Sequence, residues 1–231
     1  MVSIHQPSYF PWLGLLDKIN KSKEFILLDS VQLSDSTYQN RNIFLDNSQK
    51  EHLLTIAINK KNYQEKDFSE LTINNNIWQK KHQKFIMYNY KKHPYFDEIY
   101  PLLETFYKND YEYLIDPLFE SMKLSMKIFG INVKIQKSSS LNLSKENTKD
   151  KLVLDILEKV HAKEYLSGQG AKNYQDDSKF KDKNIILHYQ EFKHPVYPQY
   201  KKSDFHSGLS CLDAAFNLGI SDCRKLLKEI K

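Results

Sequence analysis

The chain has little of the residue chemistry that would commit it to several large protein classes. Among its 231 residues are two cysteines, Cys211 and Cys223, placed in a stretch of helical pattern. Neither belongs to a CxxC pair or stands beside a histidine cluster. That argues against a disulfide scaffold and a metal site, and both are expected to be buried thiols. No run of about 18 apolar residues is present, so nothing has the pattern of a membrane-spanning helix. The opening Met-Val-Ser-Ile-His lacks the basic-then-apolar layout of a secretory signal, and a cytoplasmic location is expected. Arginine is nearly missing: of 34 basic residues, only Arg41 and Arg224 are arginines. The net charge of +5 is carried by lysines spread along the chain. With so little arginine to read phosphates and guanine edges, nucleic acid is not an expected partner. The lysine excess, with Asn, Ile and Tyr also plentiful, fits an AT-rich coding bias.

What is present suits a globular protein. A hydrophobic fraction of 40% and an aromatic fraction of 13% supply a core and argue against disorder. The length, and the lack of repeats or a low-complexity linker, predict a single α/β domain over 1–231. Residues 2–4 form a short apolar strand. The segment 5–12 cannot be regular, because Pro7 and Pro11 restrict themselves and the residues before them. Leu15, Leu16 and Ile19, with lysines between, predict an amphipathic helix over 13–21. The run Phe25-Ile26-Leu27-Leu28, closed by Asp29-Ser30, reads as a strand buried on both faces, and a βαβ unit results.

Residues 43–46 and 53–59, around the turn-rich Asn47-Ser48-Gln49-Lys50, predict a β-hairpin, with 71–74 as a third extended segment. Residues 77–129 carry two or three helices, punctuated at His93-Pro94 and Asp116-Pro117, and offer surface for a homodimer. Residues of about 38–130 are therefore a hairpin and helical insertion after the second strand. Alternation resumes with a strand over 133–136, a helix over about 145–160 capped by Ser144, a strand over 164–166, a short helix over 171–174 and a strand over 184–189. Closing helices within 205–231, at 211–218 and 223–230, are separated by Gly219, with Ser221 or Asp222 as cap. The fold class is α/β, with a Rossmann-like, mostly parallel sheet flanked by helices.

In such sheets ligands bind beyond the carboxyl ends of the strands. His5-Gln6-Pro7 follows the first strand, Asp29-Ser30-Val31-Gln32 the second, Ser167-Gly168-Gln169-Gly170 the fourth, and the segment from His194 through Tyr197 to Gln199 the last. These loops are expected to meet at one edge. The glycines of the 167–170 turn suit an anion cradle. Arg41, flanked by Asn40 and Asn42, is a fork-shaped cation among amides, suited to phosphate, pyrophosphate or carboxylate. Its bland alternative is a surface pair with Asp35 or Asp46. His82 shares a helix face with Trp78 and reads either as a general base or as a packed histidine. No Ser-His-Asp order and no metal-ligand quartet is evident.

As a set, several segments resemble the WbqC-like family: HQPSYFPWLGLLDKI from residue 5, Asn40-Arg41-Asn42, Tyr165-Leu166-Ser167-Gly168, His194-Pro195-Val196-Tyr197-Pro198-Gln199, and Leu209-Ser210-Cys211-Leu212-Asp213 with Asn217 and Gly219. Pro198 is a small departure. The resemblance implies a place in bacterial O-antigen, capsule, lipopolysaccharide or other surface-glycan synthesis, and it transfers no catalytic residue. It suggests an N-acyltransferase that moves an acyl or aminoacyl group onto the amine of a nucleotide-linked amino sugar. His5 or His82 would be the base, and Gln6, Asn40 and Asn42 would orient polar groups. Arg41 and the 167–170 turn would hold pyrophosphate, and Tyr9, Trp12 and Tyr197 would stack on base or sugar. The donor is open between acyl-coenzyme A and activation by ATP with Mg²⁺. An ATP-dependent amide ligase is an alternative, because the first-loop histidine is similar to that of HIGH-type enzymes. A non-catalytic sugar-nucleotide binding or scaffolding subunit is another. On any of these readings His5, Gln6, Arg41, Asn42, Ser167 and Gln199 should share one cavity.

Overall fold

The computed structural model describes residues 1–34, 38–144, 146–173, 175–201 and 204–229. The elements run β1 (Val2–His5), α1 (Leu13–Asn20), β2 (Glu24–Leu27), β3 (Arg41–Leu45), β4 (Glu51–Thr55), α2 (Ile77–Tyr90), α3 (Phe96–Lys108), α4 (Ile115–Phe129), β5 (Lys134–Lys137), α5 (Lys149–Lys159), β6 (Glu164–Ser167), α6 (Asp177–Asp182), β7 (Ile186–Tyr189) and α7 (Cys211–Glu229). Five strands form one sheet in the order β5-β2-β1-β6-β7. Every neighbouring pair in it is parallel. Counted within the sheet alone, that order is 3-2-1-4-5. Such an order reverses direction beside its first strand, so a crevice opens between the carboxyl ends of β1 and β6.

Strand periodicity of two explains the layers. In β2, Phe25 and Leu27 enter one hydrophobic cluster with Leu15, Leu16 and Ile19 of α1 and with the helices α2–α4. Ile26 points the other way, against Leu152 and Ile156 of α5 and Phe180 of α6. All three β2 side chains are fully buried, as the continuous apolar run predicts, and each contributes about 1.5–3 kcal/mol by leaving water. The β3–β4 hairpin is a separate antiparallel pair, with Ile43 opposite Leu53.

The expected elements shift in several places. Residues 71–74 form only isolated bridges, Ile73 to Ile58 and Thr72 to Tyr113. The segment divides its hydrogen bonds between two partners, so no ladder develops. Helix α5 starts at Lys149 behind Thr148, not at Ser144. The Ser144 N–H and the Asn147 amide both donate to Asp155, at 3.3 and 3.0 Å, which folds that segment back along the helix. A left-handed Asn184, φ 53°, delays the last strand to Ile186. The short helix expected over 171–174 is a 3-10 turn over Gln169–Asn173, and Tyr174 lies outside the described residues. Helix α7 breaks at Gly219, φ 72° and ψ 174°. A side chain there would come within 2.4 Å of the Tyr95 ring, and the freed Ile220 N–H donates to Glu98 at 3.1 Å.

Candidate functional site

The loop after β1 is held from several directions. The Tyr9 N–H donates to the Gln39 carbonyl at 2.8 Å, and the Cys211 N–H to the Pro11 carbonyl at 3.0 Å. The Asn42 amide donates to the carbonyls of Phe10 at 2.7 Å and Tyr9 at 3.2 Å. Ser210 Oγ also donates to the Phe10 carbonyl, at 3.0 Å, while the Phe10 N–H donates to Ser121 Oγ. These bonds hold Phe10 at φ 38°, a left-handed conformation that costs a residue with a side chain roughly 1–3 kcal/mol. The result is a fixed loop that carries Gln6 and Trp12 over the crevice, next to His5 at the end of β1.

Two cavities meet there. One, of about 450 Å³, is lined by His5, Gln6, Ser8, Trp12, Gln39 and Asn42, closed by Leu15, Tyr38 and Gly208. The other, of about 330 Å³, is lined by His5, Trp12, Leu15, Lys18, Gln190 and the turn Gly168-Gln169-Gly170, with Gly14 and Phe192. His5, Trp12 and Leu15 belong to both walls, so the cavities are two halves of one cleft. Trp12 is 40% exposed and rests edge-on against Phe192, ring centroids 5.2 Å apart. Gly14 makes that position available, because a Cβ there would lie 2.2 Å from the indole.

His5 Nδ1 lies 2.9 Å from the Gln6 carbonyl. A carbonyl only accepts, so Nδ1 carries the proton and Nε2 keeps its lone pair. Burial first, and the Lys18 charge second, push the His5 pKa down to about 4 against the opposing Gln6 bond. The ring is neutral at physiological pH. Gln39 donates its amide N–H to Gln6 Oε1, while Gln39 Oε1 is buried with no donor among the described residues. A buried amide oxygen without a partner is uncommon, and this one belongs to a residue in the wall of the larger cavity.

The expected constellation is only partly assembled. His5, Gln6, Trp12 and Asn42 line the larger cavity, and Gly168 and Gln169 line the smaller. Asn42 is nevertheless spent on the fold: its oxygen accepts from the Ile43 N–H at 2.8 Å, besides its two donated bonds. Arg41 opens β3 opposite Thr55 and lines neither cavity, and Asp35, one partner considered for it, lies outside the described residues. Asn40 donates to the Ile56 carbonyl at 2.9 Å, and Gln32 makes a backbone bridge to Asp67. Ser167 is buried and donates to Gln175 at 2.8 Å. His194 bonds its own Pro195 carbonyl at 2.8 Å. Tyr197 and Gln199 both donate to Asp213 Oδ2 at 2.9 Å. These two fix the 194–199 segment onto α7 and line neither cavity.

His82 and Tyr9 are a separate buried group. Tyr9 Oη lies 3.0 Å from His82 Nδ1 and 2.6 Å from Tyr107 Oη, with Trp78 4 positions before His82 packed edge-on against it at 5.4 Å. Burial pushes the His82 pKa down to about 4, against a bond to the Thr55 backbone. Both of its nitrogens are thus engaged within the chain, and it serves packing rather than the cleft. Gln39, Lys18 and Gln190 were not among the expected site residues. Lys18 had a signal: it follows Leu15 by three, and so shares the apolar face of α1. Among the described residues no group of three or more His, Cys, Asp or Glu side chains could hold a metal ion, and no helix is long and apolar enough to cross a membrane.

A mostly parallel five-stranded sheet flanked by helices, with a polar cleft at its switch point, defines an α/β fold. Within that class the chain belongs to the WbqC-like protein family, whose model matches residues 6–225. It is similar to the uncharacterized protein Rv1507c of Mycobacterium tuberculosis, 27% identical over 221 residues that cover 94% of each chain. No solved structure matches.

Proposed function

We propose that the cleft binds a nucleotide-linked amino sugar, and that the protein transfers an acyl or aminoacyl group to its amine in bacterial surface-glycan synthesis. The observation that carries this reading is a buried acceptor without a donor among the described residues, Gln39 Oε1, in the same cavity wall as His5, whose Nδ1 is bonded to the Gln6 carbonyl and whose Nε2 keeps its lone pair. An acceptor with no donor of its own, beside an imidazole lone pair, suits a ligand that brings N–H and O–H groups, as an amino sugar does. The family supports the pathway, and the exposed Trp12 face offers a surface for a sugar or base.

With an acyl thioester as donor, the sugar nitrogen attacks the carbonyl carbon. The new C–N bond forms, the C–S bond breaks and the thiolate departs. His5 Nε2 takes the proton from the nitrogen of the tetrahedral adduct, which is much more acidic than a free ammonium. A weakly basic imidazole is adequate for that proton, and it passes on to the departing thiolate. The test is release of free thiol, with mass detection of the N-acyl sugar nucleotide, from UDP-linked amino sugars and acyl-coenzyme A donors. Turnover that falls roughly 10²–10⁴-fold in His5→Gln, with native-like folding, is the expected result. Full turnover in His5→Gln removes His5 as the base, and no product from any donor removes the transfer reading.

A further inference from the structure

We propose that Lys18 and the Gly168-Gln169-Gly170 turn form an anion subsite that takes a phosphate or pyrophosphate group. The proposal rests on the reading of the cleft as a substrate site and names the part of the substrate that enters its smaller half.

Lys18 is 4% exposed. Its ammonium makes one hydrogen bond, to the Ile4 carbonyl at 2.9 Å, and no ion pair with any described residue. The adjacent Asp17 is engaged elsewhere, with Lys21 at 3.0 Å and Gln190 at 2.8 Å. A lysine ammonium has three N–H donors, so two remain unassigned in the wall of the smaller cavity. Burying a cation without a counter-charge is strongly unfavourable. The cavity itself offers no carboxylate: Lys18 is the one charged side chain among its lining residues. The missing negative charge is therefore one that a ligand brings. Consistent with that placement, burial pushes the Lys18 pKa down to about 8, a value that an arriving anion raises.

The turn opposite Lys18 adds an independent observation. Gly168 and Gly170 lie outside the left-handed region, and a Cβ added at either meets nothing within 4 Å. Neither backbone conformation nor packing within the chain calls for glycine at these positions. What their bareness leaves is room for a ligand group to approach the main chain. The cavity also sits at the carboxyl ends of β1 and β6, where sheets of this order bind phosphates. A point-charge ammonium with main-chain groups suits a tetrahedral phosphoryl group, whereas planar carboxylate recognition favours arginine. Since His5 and Trp12 line both cavities, a sugar in one and a diphosphate in the other would belong to one ligand.

The test follows inorganic pyrophosphate binding to the whole protein by calorimetry and by melting temperature, at constant ionic strength. Three proteins are compared: native, Lys18→Met, and the double variant Gly168→Val/Gly170→Val. Native protein is expected to bind and to melt higher with pyrophosphate. Lys18→Met should bind roughly 10- to 100-fold more weakly, the loss expected for a charge-assisted bond. It should also melt at or above native in buffer alone, because the unpaired buried cation is gone. The glycine variant, whose added Cβ atoms meet nothing within 4 Å, should fold as native and bind weakly. It decides the matter if Lys18→Met does not fold. No pyrophosphate binding by native protein, or native affinity in either folded variant, overturns the proposal. A UDP-linked amino sugar that binds native and Lys18→Met equally sinks the subsite and leaves the proposed function standing. Pyrophosphate binding that depends on Lys18, with no acyl transfer to any acceptor, does the reverse.

Discussion

Replacing Asn42 by alanine separates a structural amide from a ligand-binding one. The side chain is 2% exposed and makes three hydrogen bonds, to the carbonyls of Tyr9 and Phe10 and from the Ile43 N–H. At about 1 kcal/mol net for each, their loss lowers the unfolding free energy by about 3 kcal/mol. In a chain of this size that lowers the melting temperature by roughly 6–12 °C. The Phe10 backbone, held at φ 38°, loses its shortest tether and relaxes toward ordinary geometry. Urea unfolding followed by tryptophan fluorescence reads the change as a lower midpoint at unchanged slope. Asn42→Asp is the informative companion: it keeps the acceptor for Ile43 but turns a carboxylate onto two carbonyl oxygens. It should be at least as unstable at pH 7 and recover as the pH falls and the acid becomes a donor. A stability loss under about 1 kcal/mol for Asn42→Ala would refute the assignment of this amide to the loop.

Two further outcomes follow from the same geometry. Gly14→Ala should displace the half-exposed Trp12, whose ring a Cβ would meet at 2.2 Å, with weaker ligand binding and a changed tryptophan emission, while stability stays within about 1 kcal/mol of native. His5, His82 and His93 have their pKa values pushed down to about 4, in each case chiefly by burial. Their neutral forms are favoured by the native state, so their contribution to stability is complete above the ordinary histidine pKa near 6.5 and is lost as pH falls through 4. Urea midpoints at pH 7, 5.5 and 4.5 should therefore fall in that order, and equal midpoints would contradict the burial of these rings as neutral groups.

How much of this was legible in the sequence depends on the range of the interaction. The two-faced burial of β2 is local: four apolar residues in a row cannot alternate, and Phe25, Ile26 and Leu27 do enter both layers. The two proline-rich and glycine-rich loops could be placed at one edge because each follows a parallel strand, and they do share the cleft through His5 and Gly168. The same argument put Gln199 at that edge, yet it lines neither cavity, and Arg41 lies in the hairpin, outside the parallel sheet. The facing of Arg41 is set by hairpin register against Thr55, and that of Gln199 by Asp213 on α7. Neither constraint is visible in the spacing of nearby residues. Polarity alone did not decide between the two readings of His82, which is packed beside Tyr9, and it hid Lys18, whose place on the apolar face of α1 leaves it buried beneath the cleft.

Calorimetric titration of a UDP-linked amino sugar into native protein and into His5→Phe/Gln39→Leu tests the central claim most directly. These substitutions remove the orphaned Gln39 oxygen and the His5 lone pair while keeping the volume of the wall. The account predicts saturable binding to native protein and at least roughly tenfold weaker binding to the folded double variant. Equal affinity in the two proteins, or no binding to the native one, would contradict it.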